Sequence, residues 1–187
     1  MDCLFFRHGL AIERQEWSGQ EQDRPLTDKG VTRTRESGKG LLNLRINPTH
    51  ILSSPLARAH ETAAILQSLI RPKLKIRICA ELNPAAQPRT LFALLDALPP
   101  DAVALCIGHE PHLSLAAGIL LTGKPCSGLS FKKSRSLPHP HRRVREARGR
   151  TTRMVADGST TACPRMITSR LTSQPNKWRI PGAHRET

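Results

Sequence analysis

Two histidines and two arginines in this chain stand where they could handle a phosphoryl group. Arg7-His8-Gly9 directly follows an apolar, strand-like run, Cys3-Leu4-Phe5-Phe6. Gly108-His109-Glu110-Pro111 follows a second run, Ala102–Ile107. Between them, Ser53-Ser54-Pro55-Leu56-Ala57-Arg58-Ala59-His60-Glu61-Thr62-Ala63 reads as a strand end turning into a helix. A neutral imidazole can attack phosphorus and become a phosphohistidine. A guanidinium can hold an oxyanion through two parallel hydrogen bonds. Arg58 falls near the start of its helix, where the helix N-terminus also favours an anion. Each residue alone is a weak signal: His109 could be a capping residue, Arg58 a surface charge, and a lone histidine is more often solvated or core. Their joint occurrence in this order outweighs those readings. His60 and His112, beside the motifs, are expected to be exposed helix residues, and His50 a strand-edge residue.

The elements around these residues alternate. Residues 2–6 read as strand, and Arg24-Pro25-Leu26-Thr27-Asp28-Lys29-Gly30 opens a helix with Thr27 or Asp28 as N-cap, running to about Leu44. Thr49–Ser53 is a short strand, and Pro55 is expected to begin a helix whose apolar stripe is Leu56, Ala59, Ala63, Leu66 and Leu69–Ile70. Lys75–Cys79 is a third strand, with Lys73, Lys75 and Arg77 as a solvated face. Arg89–Leu98 is a helix. Ala102–Ile107 is apolar throughout, as a strand buried on both faces would be. Leu113–Leu121 is an apolar helix closed by Gly123. Strands alternating with helices imply a parallel sheet covered on both sides. In such a sheet the tips at His8, Ser53 and His109 share one edge, the edge where open α/β sheets bind ligands.

These three ordered motifs resemble the histidine phosphatase superfamily, the phosphoglycerate-mutase-like proteins, and within it the short SixA-type phosphohistidine phosphatases. The resemblance covers residues 1 to about 133. It implies an α/β fold of three layers, α/β/α, around a mostly parallel central sheet. It also implies His8 as nucleophile, with Arg7, Arg58 and His109 binding the phosphoryl oxygens and stabilising charge during transfer. No metal or cofactor is implied. The implied substrate is a phosphohistidine-bearing protein such as a phosphotransfer domain; a general small phosphomonoesterase of the same superfamily is the alternative. Larger members carry an acidic proton donor after the third strand. Here that stretch is Ala80-Glu81-Leu82-Asn83-Pro84, and Glu81 does not fall clearly in the donor position. A missing donor favours a phosphoramidate, whose imidazole leaving group can be protonated before the bond breaks. Between residues 58 and 109 no insertion is long enough to form a lid, which suits a phosphate carried on a protein.

The net charge of +14 would suggest a nucleic-acid binder, but it is unevenly spread. Residues 1–133 hold 17 Lys+Arg against 12 Asp+Glu, and residues 134–187 hold 12 against 3. With no tyrosine, four phenylalanines and two tryptophans, the chain is poorly supplied for stacking on bases, so a nucleic-acid partner is not expected. The five cysteines show no CxxC pattern; Cys3, Cys79 and Cys106 read as small buried hydrophobes. No apolar run approaches bilayer length and the N-terminus lacks a signal-peptide pattern, so a cytoplasmic, reducing location is expected.

After Lys133 apolar periodicity ends, and 134–187 is expected to be a basic, disordered tail, leaving the domain without its C-terminal strand and helix. Codon arithmetic offers an origin in a shifted reading frame. Read one base later, Ser134–His141 can spell Ala-Gly-Ala-Cys-Leu-Ile-Arg-Ile, and Gly149–Arg165 can spell a helical string. Two letters are forced: Met154-Val155 must give tryptophan, and Met166-Ile167 must give a stop. The alternative is a natural basic arm that binds nucleic acid or acidic partners, a role Arg142-Arg143-Val144-Arg145 suits, attached to an inactive phosphatase domain.

Overall fold

The computed structural model describes residues 1–124, Phe131, and the backbone of two strands at 152–153 and 166–170. In chain order the elements are β1 (Asp2–Arg7), α1 (Asp28–Asn43), β2 (His50–Ser53), α2 (Ala57–Ile70), β3 (Ile76–Ile78), α3 (Pro88–Asp96), β4 (Val103–Gly108), α4 (His112–Thr122), β5 (Thr152–Arg153) and β6 (Met166–Arg170). Short 3-10 turns span Arg14–Glu16, Glu21–Asp23 and Ala80–Leu82. The sheet order is β3-β2-β4-β1-β6-β5, with β3, β2, β4 and β1 parallel.

Alternation along the central strands builds the three layers. Cys3, Phe5, Ala104 and Cys106 pack on one face with Leu91, Leu95, Leu113, Ala116 and Leu120 of α3 and α4. Leu4, Phe6, Leu105 and Ile107 pack on the other with Leu41, Ala59, Ala63 and Leu66 of α1 and α2. Strands apolar at every position therefore belong between two helical layers, as the sequence implied. Cys3, Cys79 and Cys106 are free thiols in the core. No helix among the described residues is long and apolar enough to cross a membrane.

Local signals hold at most boundaries. Thr27 caps α1, its Oγ1 accepting from the Gly30 N–H at 3.0 Å. Gly123 ends α4 in the left-handed region, at φ 76°. The start of α2 differs from expectation. Pro55 lies two residues before it, because the Ser54 N–H still donates to Ile107 O at 3.0 Å and holds the chain in the sheet. His112 also differs: it is 1% exposed at the start of α4, not a surface residue. His60 is exposed, and His50 is half-buried at the start of β2.

The sheet does not stop at β1. Met166–Arg170 lies antiparallel along it, with Phe5 opposite Ile167, and Thr152–Arg153 pairs onto Met166–Arg170 in turn. An open edge on the strand that carries His8 is a template for any extended segment, and Met-Ile-Thr-Ser-Arg includes β-branched residues suited to it. Seven residues of the stretch expected to form the basic tail lie in these two strands. The remainder of 134–187, including the question of its reading frame, lies outside the described residues.

Candidate active site

The tips of β1, β2 and β4 meet as the parallel topology requires. His8 N–H donates to Gly108 O at 3.1 Å, and Cys79 N–H to Ser53 O at 2.8 Å, so the chain leaving each strand starts from a fixed point. At this edge lies a cavity of about 190 Å³ lined by Arg7, His8, Ala11, Arg24, Arg58, Pro84, His109 and Glu110. All four residues singled out in the sequence are brought together there. The His8 and His109 rings lie 4.9 Å apart, centre to centre, tilted by 54°.

Each of the four is anchored at one end and unpartnered at another. His8 Nδ1 is 2.7 Å from Gly9 O, an acceptor only, so in the neutral ring Nδ1 carries the proton and Nε2 keeps its lone pair. His109 Nε2 is 2.8 Å from Ser54 Oγ, while its Nδ1 is buried without a partner. Arg7 donates from Nη1 to Phe131 O at 2.6 Å, and its buried Nε has no partner. Arg58 donates from Nη1 to Glu21 O at 3.1 Å, and again its buried Nε has none. Buried polar groups without partners are costly and rare in folded proteins. Three residues that line the cavity, Arg7, Arg58 and His109, thus each carry a buried nitrogen without a partner, and with Arg24 the lining holds three guanidiniums, a composition suited to an anion.

Burial sets the charge state of the histidines. Desolvation, with Arg58, Arg7 and Arg24 adding repulsion and the Gly9 contact opposing them, lowers the His8 pKa to about 3. Desolvation, then His8 and Arg58, lowers that of His109 to about 2. Both are neutral imidazoles near neutral pH, the form that can attack phosphorus. Glu110 lines the cavity with both oxygens engaged, Oε1 accepting from the Phe131 N–H at 3.2 Å and Oε2 from the Ser114 hydroxyl, and burial raises its pKa, with the Phe131 contact and Arg7 opposing. Glu81 does not line the cavity.

Glycine at two positions lets the loop after β1 sit against α1. A Cβ on Gly9 would lie 2.6 Å from Thr34 Oγ1, and a Cβ on Gly30 would lie 2.0 Å from Leu10 O. The Gly9 N–H donates to Thr62 Oγ1 at 3.0 Å, and Thr62 donates to Arg58 O at 2.7 Å, tying the first motif to the second. Residues 10–12 then pair with 25–27, through Thr27 N–H to Leu10 O and Ile12 N–H to Pro25 O.

That pairing brings in a residue the sequence reading treated only as part of a helix start. Arg24 lines the cavity, its guanidinium held by Glu21 and by Ile12 O. Glu21 belongs to none of the segments singled out in the sequence, Arg24 only to the helix start, and Ser54 to the second motif without a role of its own. The available signal was spatial: a loop that must return from the His8 tip to α1 passes beside the pocket.

Comparison with known proteins agrees with this geometry. Residues 3–84 match the family model of the histidine phosphatase superfamily, branch 1. An uncharacterised protein of Picosynechococcus sp. is 37% identical over 146 residues, covering 72% of this chain and 81% of the relative. The structure of the protein histidine phosphatase SixA complexed with tungstate is similar at TM-score 0.64 and 26% identity, covering 72% of this chain and 84% of that one. A structure from Agrobacterium tumefaciens that carries the SixA name shares the fold at TM-score 0.57 and 22% identity, covering 64% and 76%. With the motifs on parallel strand tips, two facing imidazoles and an anion-ready pocket, the chain belongs to the histidine phosphatase superfamily.

Proposed function

We propose that this chain is a metal-independent phosphatase acting on phosphohistidine carried by a protein, with His8 as the phosphoryl acceptor. The observation that carries the proposal is the His8 ring: neutral, with Nδ1 committed to Gly9 O and Nε2 left as a nucleophile between the anion-binding groups. His8 Nε2 attacks phosphorus as the P–N bond to the substrate imidazole breaks, and the departing imidazole takes up a proton. Water then attacks the phosphorus on His8, the Nε2–P bond breaks, and inorganic phosphate leaves. Arg7 and Arg58 bind the phosphoryl oxygens, and Arg24 adds positive charge. With the Ser54 hydroxyl as donor to His109 Nε2, the ring carries its proton on Nδ1, the nitrogen without a protein partner, and can donate it to the transferring group. Three guanidiniums thus supply the charge stabilisation.

Two features favour phosphohistidine over a phosphate ester. Both oxygens of the cavity's own carboxylate, Glu110, already accept hydrogen bonds from the Phe131 N–H and the Ser114 hydroxyl, contacts that compete with donation to an alkoxide although burial raises its pKa. An imidazole leaving group has less need of such a donor. The similarity to a structure named protein histidine phosphatase is consistent with the same substrate class.

The test compares a phosphohistidine-bearing phosphotransfer domain with an aryl phosphate, with and without a chelator. Faster turnover of the phosphotransfer domain, unaffected by chelation and abolished in His8→Ala, is expected. Preference for the aryl phosphate would instead identify a general phosphomonoesterase.

A further inference from the structure

We propose that Glu21 is the positioning residue of the phosphoryl pocket: it grips Arg58 by one end and Arg24 by its fork, keeping both charges aimed at one anion. The inference rests on the phosphoryl-pocket reading above and adds to it a residue outside the cavity wall.

One carboxylate touches three guanidiniums. Glu21 Oε1 lies 3.1 Å from Arg58 Nη1 and 2.7 Å from Arg24 Nη2. Oε2 lies 3.0 Å from Arg24 Nε and 3.3 Å from Arg14 Nε. Arg24 is gripped as a planar fork, the geometry that suits carboxylate to guanidinium best. Arg58 is gripped differently. Glu21 engages only Nη1, which also donates to the Glu21 main-chain carbonyl, and leaves the buried Nε uncommitted.

The division of contacts argues for positioning rather than blockade. Glu21 engages Arg58 through Nη1 alone, by carboxylate and main-chain carbonyl, and makes no contact with Nε. The pocket also needs the carboxylate for charge balance. Arg58 and Arg24 repel one another across the cavity, and Glu21 is the counter-charge that opposes this for Arg58. Without it, the two like charges would separate and the Arg58 guanidinium would no longer be held in place. The main-chain carbonyl of residue 21 remains in any variant, so substitution tests the carboxylate alone.

The experiment is calorimetric titration of inorganic phosphate into the full chain and into Glu21→Gln, Glu21→Asp and Arg14→Ala. Glu21→Gln is expected to weaken phosphate binding about tenfold, and to lower kcat/KM chiefly through KM, because preorganised charge is lost while the nucleophile is untouched. Glu21→Asp should recover part of the loss. Arg14→Ala, which touches Glu21 but not the cavity, should stay within about twofold, as expected of an exposed ion pair. Unchanged or tighter phosphate binding in Glu21→Gln would overturn the proposal, tighter binding showing instead that Glu21 competes with the ligand. Loss of helical circular dichroism in Glu21→Gln together with full phosphate affinity in Glu21→Asp would assign the residue a folding role and also overturn it. If the unaltered chain binds no phosphate, the pocket reading falls first and this inference with it.

Discussion

The two walls of the pocket are built on different physics. The wall of strand tips holds His8, His109 and Arg58 at 9%, 2% and 5% exposure; the Gly9 carbonyl and the Ser54 hydroxyl anchor the histidines, and the carbonyl and carboxylate of Glu21 reach Arg58 from the facing loop. The wall contributed by residues 10–27 holds Arg24 through the Ile12 carbonyl and through the fork of Glu21, whose side chain is 42% exposed. Contacts to carbonyls in a dry interior are insensitive to salt; ion pairs at the surface are screened. The strand wall therefore fixes where the reacting atoms sit, and the loop wall trims how much positive charge they feel.

Removing an arginine from each wall is the most direct attempt to break this division. Arg58→Ala deletes a buried donor to the phosphoryl oxygens and should lower kcat/KM by about 10²–10³-fold. Arg24→Ala, whose donors are already committed within the protein, should cost roughly tenfold, in keeping with a point charge rather than a fork. Steady-state kinetics on a phosphohistidine protein checks both. Equal losses would show that the walls are not distinct.

A second prediction concerns the seam between the walls. Gly30→Ala would place a methyl group 2.0 Å from Leu10 O, where only backbone can yield. A destabilisation of about 1–3 kcal/mol, the usual range for overpacking, is expected in denaturant unfolding. Since Leu10 belongs to the loop wall, phosphate affinity should fall with stability in this variant.

The walls should also separate by pH. His8, His109 and His112 all have pKa values lowered by burial, so the unfolded chain binds more protons than the folded one once pH drops below about 6.5. Their stabilising effect is complete above that value and is lost progressively toward about 3. Glu21 has its pKa lowered from 4.5, first by the Arg24 hydrogen bond, so its stabilisation persists to lower pH and fades only below 4.5. Thermal midpoints measured from pH 8 to pH 4 should fall from near 6.5 downward. A flat profile between 7 and 5 would mean that the strand-wall histidines are not held neutral by burial.

Much of the strand wall was legible in the sequence. Apolar runs ending in His8 and His109, and a helix starting near Arg58, follow from periodicity and from the shared edge of a parallel sheet. What escaped was set by tertiary packing. His112 looked exposed because nothing local marks the helix start it occupies as covered. Pro55 looked like a helix start because its missing N–H fits one, yet the Ser54 bond to Ile107 O kept the chain extended. Arg24 looked like part of a helix start and Glu21 was not singled out, since only the folded loop brings them to Arg58. The pairing of Met166–Arg170 on β1 likewise follows from an edge that exists only once the sheet has formed.

The smallest effect sharpens the strand wall from within. Ser54 Oγ is 2.8 Å from His109 Nε2, and both groups are buried. If the serine donates, it selects the tautomer that carries its proton on Nδ1, the nitrogen that otherwise has no partner. Ser54→Ala removes one neutral hydrogen bond, about 1 kcal/mol, and leaves both tautomers accessible. Turnover should fall roughly fivefold through kcat, with phosphate affinity nearly unchanged because Arg7 and Arg58 still hold the anion. That pattern is the opposite of the KM-led loss expected for Glu21→Gln. A KM-led loss in Ser54→Ala would mean that His109 serves as ground-state binding rather than as a donor during transfer, and would move it functionally to the loop wall's side of the comparison.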